Sequence, residues 1–268
     1  MPSSPLTGII GAGVMGETLL SGLLRAGRPA ESLLVVEKRP DRAKELEEKY
    51  AVSVVATLDA AARAETILLV VKPQDMGAVL GEIAPALRPG QLLVSLAAGI
   101  TTGFVESKVP EGVAVVRVMP NTPALVDEGM AAIAPGSSVD DAHLAEAEEL
   151  LTAVGKVVHV PEHQMDAVTA VSGSGPAYVF YVVEAMIEAG VHLGLPRSVA
   201  SELVVQTLVG SATMLRETGT HPTVLREQVT SPAGTTAAAL RELDDHKVRA
   251  AFIAAMQAAA ERSRELAG

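Results

Sequence analysis

Short apolar runs alternate with amphipathic segments through the first 160 residues of the chain. Continuous Val, Ile and Leu runs bounded by turn residues are typical of buried strands, and they cover residues 6–10, 33–36, 67–71, 92–95, 113–118 and 157–160. Helical spacing fills the intervals, over 18–25, 41–50, 75–87 and 140–154. This alternation of strand and helix predicts a parallel sheet covered by helices on both faces, which is an α/β fold.

After Gln164 the pattern changes to helices alone. Their apolar faces are wide: between residues 177 and 190 only Glu184 and Glu188 are charged. Helices of this kind are buried on more than one side, and a bundle of about 100 residues is too small to cover them all. We therefore expect an α/β domain over 1–162, an all-α domain over 163–268, and a homo-oligomer in which a second copy of the chain covers these helices.

Composition removes several classes of protein. The 268 residues include no Cys and no Trp, so a disulfide framework, a Cys-ligated zinc site, an iron–sulfur cluster and a catalytic thiol are excluded. The six His form no metal-binding spacing, and we expect no metal site. A net charge of −11 and only six aromatic residues argue against nucleic acid as a partner.

The sequence shows no recognisable signal for secretion or for insertion into a membrane. Residues 1–5 have no basic region ahead of an apolar stretch, as a secretory signal would require. No uninterrupted apolar run approaches the roughly 18–20 residues of a membrane helix. We expect a cytoplasmic protein that does not bind membranes, and the mean hydropathy of +0.32 then favours an obligate dimer.

A glycine motif directly follows the first predicted strand and opens the first helix, with the sequence Gly11-Ala12-Gly13-Val14-Met15-Gly16. In the G-x-G-x-x-G pattern the first Gly allows a tight turn, the second lets a pyrophosphate approach the backbone, and the third packs helix against strand. The helix N-terminus offers unpaired N–H groups to the phosphates. The motif predicts a Rossmann-type domain that binds a dinucleotide, with a structural turn as the alternative.

The end of the second strand bears on the choice of cofactor. Glu37 lies 21 residues after Gly16, where an acid would bind the ribose 2′-hydroxyl of NAD. Lys38 and Arg39 follow at once, and such cations favour the 2′-phosphate of NADP. A solvated charge cluster is the alternative reading. We predict that NADP is preferred and that NAD is also accepted.

Ligands of open parallel sheets bind at the carboxyl ends of the strands. The segments after three later strands are therefore expected near the cofactor: Val71, Lys72 and Pro73; Ala97 and Ala98; and Asn121. The last of these is the only Asn in the chain and stands between two Pro residues, where its amide could contact nicotinamide or ribose. An Asx turn is the alternative.

In the helical half, residues 229–236 read VTSPAGTT and lead into a helix. Such a helix start can bind a carboxylate through the N–H groups of Gly234, Thr235 and Thr236. The alternative is that the hydroxyls serve as ordinary helix caps.

Three blocks besides the glycine motif carry a family resemblance: VMPNTP at 118–123, AVTAVSGSGPAY at 167–178 and LREQVTSPAGTTAAALREL at 225–243. On these residues the chain resembles pyrroline-5-carboxylate reductase, the NAD(P)H enzyme of the last step of proline synthesis, from about residue 6 to 265. The resemblance implies a Rossmann domain followed by an all-helical dimerisation domain that interlocks with its twofold mate. In this family the dimers often assemble into decamers.

The resemblance also implies roles for individual residues. The substrate carboxylate would bind the backbone of Gly234, Thr235 and Thr236, and the Thr236 hydroxyl, the catalytic group, would face the ring nitrogen. Ser174 and Val229 would line the substrate pocket. Cofactor contacts would come from Gly11, Ala12, Gly13, Val14, Met15, Lys38, Arg39, Thr57, Val71, Lys72, Pro73, Ala97, Ala98 and Asn121. The chain departs from the family at Thr57, where many members have Asn, and at Glu37.

The implied chemistry suits a chain poor in catalytic groups. A cyclic imine is already electrophilic, so the protein mainly has to hold its carbon in line with the hydride of the nicotinamide. Three alternatives remain: a related imine reductase, a hydroxyacid dehydrogenase and a non-catalytic dinucleotide-sensing module. Hydroxyacid enzymes of this plan use a Lys early in the second domain, whereas residues 157–246 contain none.

Overall fold

The structure is a computed structural model that describes residues 5–267. The first four residues, on which most of the expectation about a secretory signal rests, and Gly268 lie outside the described residues. The chain forms two compact units. One runs up to Ser174 and takes in the chain from Ala259 onward, and the other is Gly175–Ala258.

Eight strands in the described residues form one sheet in the order β3-β2-β1-β4-β5-β6-β7-β8. They are β1 Thr7–Ile10, β2 Leu33–Val36, β3 Ser53–Val54, β4 Thr66–Leu69, β5 Leu92–Ser95, β6 Ala114–Met119, β7 Gly129–Pro135 and β8 Gly155–His159. All neighbouring strands are parallel except β6 and β7. The predicted α/β fold class is confirmed, with one antiparallel pairing that was not predicted.

Helices cover both faces of this sheet. They are α1 Val14–Arg25, α2 Pro40–Tyr50, α3 Thr57–Arg63, α4 Pro73–Ile83, α5 Thr102–Glu106, α6 Asp141–Thr152 and α7 Met165–Val168, which continues into a π-helical turn, Thr169–Gly173. Because side chains alternate along a strand, the buried residues divide into two cores. Ile9 and Leu68 belong to one core, and their neighbours Ile10 and Leu69 belong to the other.

The elements that the pattern did not predict are short or weakly apolar. β3 has two residues and α5 has five. β7 reads GMAAIAP, and a strand with one β-branched residue lacks the usual signal of a buried strand. The α7 segment belongs to the first unit because Met165 is buried against Ala132 and Ala134 of β7. The two units thus divide at Ser174, and the expected division between 162 and 163 stays a prediction.

The second unit is helical, as predicted. It contains α8 Gly175–His192, α9 Arg197–Thr218, α10 Pro222–Gln228 and α11 Thr235–Asp245, and α12 Val248–Ala267 begins in it. Many of its large apolar side chains are exposed, among them Phe180, Tyr181, Leu203, Val205 and Val209. Helices α8 and α12 form the walls of an apolar groove of about 580 Å³, lined by Tyr181, Val182, Ala185, Ala251, Phe252 and Ala255.

By length and composition alone, α9 is apolar enough to cross a membrane, which the interrupted sequence pattern did not lead us to expect. It is the one such helix in the described part of the chain. It carries Glu202 and Gln206 within its length. A long helix with apolar residues around its girth is equally typical of a surface that packs against another subunit.

Candidate functional site

The glycine motif forms the turn that its spacing predicts. Gly11 has φ +101°, and a Cβ there would lie 2.7 Å from the carbonyl oxygen of Val70. A Cβ on Gly16 would overlap the carbonyl oxygen of Gly11, so this residue too must be Gly. Gly13 has no other heavy atom within 4 Å of a Cβ position, and it begins α1 without a side-chain cap. The first N–H groups of α1 therefore face open space of the kind that a pyrophosphate requires.

The acid and the cation at the end of β2 bind each other. The Glu37 carboxylate accepts hydrogen bonds from the backbone N–H of Arg39 at 2.9 Å and from its Nε and Nη2, both at 3.2 Å. These bonds, led by the side-chain bond, hold the pKa of Glu37 below its ordinary value even though burial opposes the shift. Lys38 and Arg39 are exposed and line an open cavity of about 580 Å³ with Arg42. The cavity has the cations that a phosphate needs, and Glu37 competes for one of them.

A second ionic cluster joins α1 to α2. Glu17, in the first turn of α1, accepts from Lys49 Nζ at 3.0 Å and from the Tyr50 hydroxyl at 2.8 Å, and it also pairs with Arg42. Burial raises the pKa of Glu17, but the hydrogen bonds from these three partners outweigh burial and lower it. The cluster fixes α2, whose first turn lies beside the predicted 2′-phosphate cavity. Sequence reasoning missed this role because the partners lie 25 to 33 residues from Glu17.

The other predicted cofactor residues follow the carboxyl ends of neighbouring strands. Val71 lies just beyond β4, Lys72 precedes α4, and Pro73 is the first residue of that helix. Ala97 and Ala98 lie in a turn just beyond β5. Thr57 is the first residue of α3 and is buried.

Asn121 lies just beyond β6, and its side-chain amide is fully engaged. Its Oδ1 accepts from the backbone N–H of Met130 at 2.8 Å. Its Nδ2 donates to the Oγ and the carbonyl oxygen of Ser172, at 3.2 and 3.3 Å. The amide does not cap the 3₁₀ turn that follows, so the alternative of a local Asx turn is wrong. Residues far along the chain hold the amide instead.

Ser174 follows the π-helical turn and donates its backbone N–H to the carbonyl oxygen of Thr169 at 2.8 Å. Turns of this kind are rare and occur frequently at functional sites. Gly173, inside the turn, lies so close to the end of the Met119 side chain that a Cβ would overlap it. The turn is thereby placed against the end of β6.

In the second unit, Gly234 begins α11 without a side-chain cap, so the alternative of a Ser or Thr cap is wrong. The Gly234 N–H donates to the carbonyl oxygen of Ser231 at 3.1 Å. This corrects the expectation that all three N–H groups are available, because the turn that precedes α11 uses the first. The N–H groups of Thr235 and Thr236, in the first turn of the helix, remain for an anion. Val229 directly follows α10 and is exposed.

Two His residues of the second unit lie at helix ends. His221 begins α10 and accepts from the backbone N–H of Thr223 at 3.3 Å. His192 is the last residue of α8. Among residues 5–267 there is no group of three or more His, Asp and Glu side chains that could hold a metal ion.

Comparisons with known families divide the chain much as the fold does. Residues 162–266 match the family model described as pyrroline-5-carboxylate reductase dimerisation. Residues 7–99 match the model described as NADP oxidoreductase coenzyme F420-dependent. The dimerisation match supports the predicted homo-oligomer, and the second match supports a pyridine nucleotide cofactor.

Individual relatives cover almost the whole chain. The pyrroline-5-carboxylate reductase of Mycobacterium tuberculosis is 48% identical over an alignment that covers 96% of this chain and 95% of the relative. The solved structure of a pyrroline-5-carboxylate reductase from Coxiella burnetii has a TM-score of 0.94 at 35% identity and covers 98% of both chains. The NADP-bound pyrroline carboxylate reductase of Plasmodium falciparum has a TM-score of 0.88 at 30% identity and covers 99% of both. The resemblance predicted from the sequence is confirmed.

Proposed function

Because the chain belongs to the pyrroline-5-carboxylate reductase family, we propose that it reduces 1-pyrroline-5-carboxylate to L-proline with NADPH, the last step of proline biosynthesis. The observation that carries the proposal is near full-length identity of 48% to a relative with that name. The open space at Gly13 and the uncapped start of α1 support the nucleotide half of the reaction.

The cofactor supplies the hydride, and the residues of the chain bind and orient the cofactor. In this proposal the pyrophosphate binds the start of α1, and the nucleotide contacts Gly11, Ala12, Gly13, Val14, Met15, Lys38, Arg39, Thr57, Val71, Lys72, Pro73, Ala97, Ala98 and Asn121. Asn121 belongs to this set through its position at the end of β6, since its amide is already bonded to Met130 and Ser172.

The substrate is held by the start of α11. The N–H groups of Thr235 and Thr236 bind its carboxylate, and Gly234 lacks a Cβ because the Ser231 side chain occupies that space. Ser174 of the first unit and Val229 of the second are the other residues that this proposal assigns to the substrate. The Thr236 hydroxyl donates to the ring nitrogen and is the catalytic residue. Since a neutral imine whose nitrogen accepts this hydrogen bond can take up hydride at carbon and a proton at nitrogen without a covalent intermediate, the groups needed are those that orient the ring and manage one proton.

NADP is the preferred cofactor in this proposal, and NAD is a weaker one. Lys38 and Arg39 face an open cavity that a 2′-phosphate could enter. A 2′-phosphate would offer Arg39 charge-assisted hydrogen bonds of the same kind as those it makes to Glu37. The relative from Plasmodium falciparum was solved with NADP.

The enzyme acts in the cytoplasm as a homodimer, and dimers assemble further into a decamer. The exposed apolar faces of α8 and α9 support the dimer, because such surfaces are rare on stable monomers.

The test is an assay of NADPH oxidation with 1-pyrroline-5-carboxylate. We expect turnover that depends on both compounds and a product that is L-proline by chiral chromatography. A control reaction with an acyclic imine checks that the ring is recognised. Absence of turnover at high enzyme concentration, with NADPH still bound, would contradict the proposal and favour an imine reductase with another substrate.

A further inference from the structure

The carboxylate of Glu162 joins three elements of the first unit. Its Oε1 accepts from the backbone N–H of Thr102 at 2.7 Å, and its Oε2 accepts from the Thr102 hydroxyl at 2.7 Å. Arg117 Nη1, from β6, reaches Oε1 at 3.2 Å. Glu162 itself begins the 3₁₀ turn that follows β8 and precedes α7. One side chain thus binds both hydrogen-bond donors of the first residue of α5.

The segment just before α5 contains two of the proposed cofactor residues. Ala97 to Ile100 form a turn closed by one hydrogen bond of 3.3 Å, from the Ile100 N–H to the Ala97 carbonyl oxygen. On the strand side the turn is anchored by the Leu96 N–H, which donates to the Leu69 carbonyl oxygen at 3.0 Å. On the helix side the next bonds to another element are those from Thr102 to Glu162. The hydrogen bonds that tie the turn to other elements are therefore those at its two ends, while Ala97 and Ile100 also pack against the apolar core.

The stability of the fold alone does not account for the Arg117–Glu162 pair. The Arg117 side chain is 8% exposed, although it lies on a strand of the central sheet. Removing a charge such as that of Arg117 from water is unfavourable, and apolar residues of the same size often stabilise a core as well or better. Glu162 is 30% exposed, so the pair is only partly buried, and because it also binds a short helix it has a geometric use: it fixes where that helix begins.

The chain beyond Glu162 leads to the second part of the proposed site. Four residues of α7 and the π-helical turn follow, and Ser174 comes directly after them. Ala97 and Ala98 precede the residue that Glu162 binds, and Ser174 lies beyond Glu162 itself. The carboxylate therefore ties together two segments that the proposed function assigns to cofactor and substrate.

We propose that Glu162 is a positioning residue that holds the Ala97–Ile100 turn and thereby orders the nicotinamide side of the cofactor site. Glu162 acts through Thr102 and is not itself a ligand. The proposal rests on the proposed function because that function assigns Ala97 and Ala98 to the cofactor. It predicts a selective defect: the nicotinamide end of the nucleotide is misplaced, and the adenosine end binds as before.

The experiment compares Thr102→Val with Thr102→Ser. Valine keeps the shape and the backbone N–H and removes the hydroxyl, whereas serine keeps both donors. Glu162→Gln removes the charge. The matched control is Glu106→Gln at the far end of α5, where the carboxylate accepts from the N–H and Oγ of Ser137 at 2.6 and 2.9 Å.

Each variant is measured for kcat, for the Kd of NADPH by nucleotide fluorescence, and for the Kd of adenosine 2′,5′-bisphosphate by calorimetry. We expect kcat to fall about tenfold in Thr102→Val and about 10- to 100-fold in Glu162→Gln, as for a misplacement of up to about 1 Å. NADPH binding weakens in the same order, and binding of the bisphosphate stays within about twofold of wild type. Thr102→Ser and Glu106→Gln behave as the wild type does.

Two results would overturn the proposal. One is equal weakening of NADPH and the bisphosphate, which would mean general loosening of the domain. The other is a normal kcat and a normal Kd for NADPH in Thr102→Val. Because this variant loses only one hydroxyl, it tests the proposal even where Glu162→Gln is insoluble. If the wild type does not turn over pyrroline-5-carboxylate, the proposed function fails, and the two nucleotide affinities still test Glu162.

Discussion

The side chain of Asn121 donates to Oγ of Ser172 at 3.2 Å, across 51 residues of sequence. The same amide accepts from the backbone N–H of Met130, so one side chain connects the end of β6, the start of β7 and the π-helical turn. Its part in the site is thus to hold the chain next to Ser174 rather than to offer a free amide.

Replacing Asn121 with Ala is expected to lower the free energy of unfolding by about 1–3 kcal/mol, because the partly buried N–H of Met130 loses its acceptor. Urea denaturation of the two proteins measures this change. Ser172→Ala, which removes only the hydroxyl, is the control and is expected to cost less. An amide that instead serves as a ligand of the nicotinamide would give Asn121→Ala normal stability and weak NADPH binding, and that result would contradict this interpretation.

The Glu37–Arg39 pair leads to a prediction about cofactor choice. Replacing Glu37 with Gln removes a negative charge from the 2′-phosphate cavity and releases Arg39. We expect the ratio of kcat/KM for NADPH to that for NADH to rise about tenfold, since like charges in contact are costly. Steady-state kinetics with both cofactors measure the ratio.

The reverse change is the loss of the cations. Lys38→Ala combined with Arg39→Ala is expected to raise the KM for NADPH about 10- to 100-fold and to leave that for NADH nearly unchanged, because charge-assisted bonds to the phosphate are lost. An unchanged KM for NADPH would remove both residues from the cofactor site.

Thr236 gives a prediction about the chemical step. In Thr236→Ala the ring nitrogen loses its proposed donor, and we expect kcat/KM to fall by about 100-fold or less, the low end of an acid–base effect. Thr236→Ser keeps the hydroxyl and is expected to retain most of the activity. Equal activity in the Ala and Ser variants would remove the hydroxyl from the mechanism.

The local sequence pattern was sufficient to predict much of the fold. The G-x-G-x-x-G spacing predicted the turn at Gly11 and the start of α1, because both depend on neighbouring residues and on the absence of Cβ atoms. The continuous apolar runs predicted most of the buried strands. β7 was missed because its small residues give little hydrophobic signal of their own, and they are buried against residues of other elements, such as Leu150 of α6 and Met165 of α7.

The site was less accessible to local reasoning. The bond from Asn121 to Ser172 spans 51 residues, and that from Thr102 to Glu162 spans 60. The spacing of residues along the sequence gives no sign of such distant pairs. Asn121, between two Pro residues, was therefore interpreted as a cofactor ligand, and no role was predicted for Glu162. The turn from Ser231 to Gly234 uses one N–H that helix geometry alone leaves free.

Acid should weaken the link between α1 and α2. The pKa of Glu17 in the folded protein lies below its ordinary value of 4.5, because the bonds from Lys49, Tyr50 and Arg42 outweigh the effect of burial. As the pH falls below about 4.5, the unfolded chain takes up a proton before the folded one does, so the contribution of Glu17 to stability is present above that pH and lost as the pH falls through the folded pKa.

Urea unfolding of the wild type and Glu17→Gln between pH 7 and pH 3 measures this contribution. We expect the wild type to be the more stable protein at neutral pH and the difference to shrink at acid pH. A difference that is constant over the whole range would contradict the assignment. Glu48→Gln in α2, whose partner Lys44 is 77% exposed, is the control and should show little pH dependence.

The exposed apolar faces of the second unit predict the state of the protein in solution. Phe180 on α8 is 66% exposed, and Val205 on α9 is 50% exposed. Burial of a side chain of this size contributes about 1.5–3 kcal/mol, so a partner that covers several of them gives a stable dimer. Light scattering should therefore show no stable 27.6 kDa species for the wild type.

Val205→Glu places a charge on this apolar face, whereas Gln206→Glu adds the same charge to the neighbouring polar position of the same helix. We expect the first variant to dissociate or aggregate and the second to keep the mass of the wild type, because an unpaired carboxylate resists burial in an interface and is tolerated in water. A wild-type protein that is monomeric and well folded would show that these faces need no partner. Loss of the oligomer in both variants would point to charge repulsion along the whole of α9 rather than to an apolar contact at Val205.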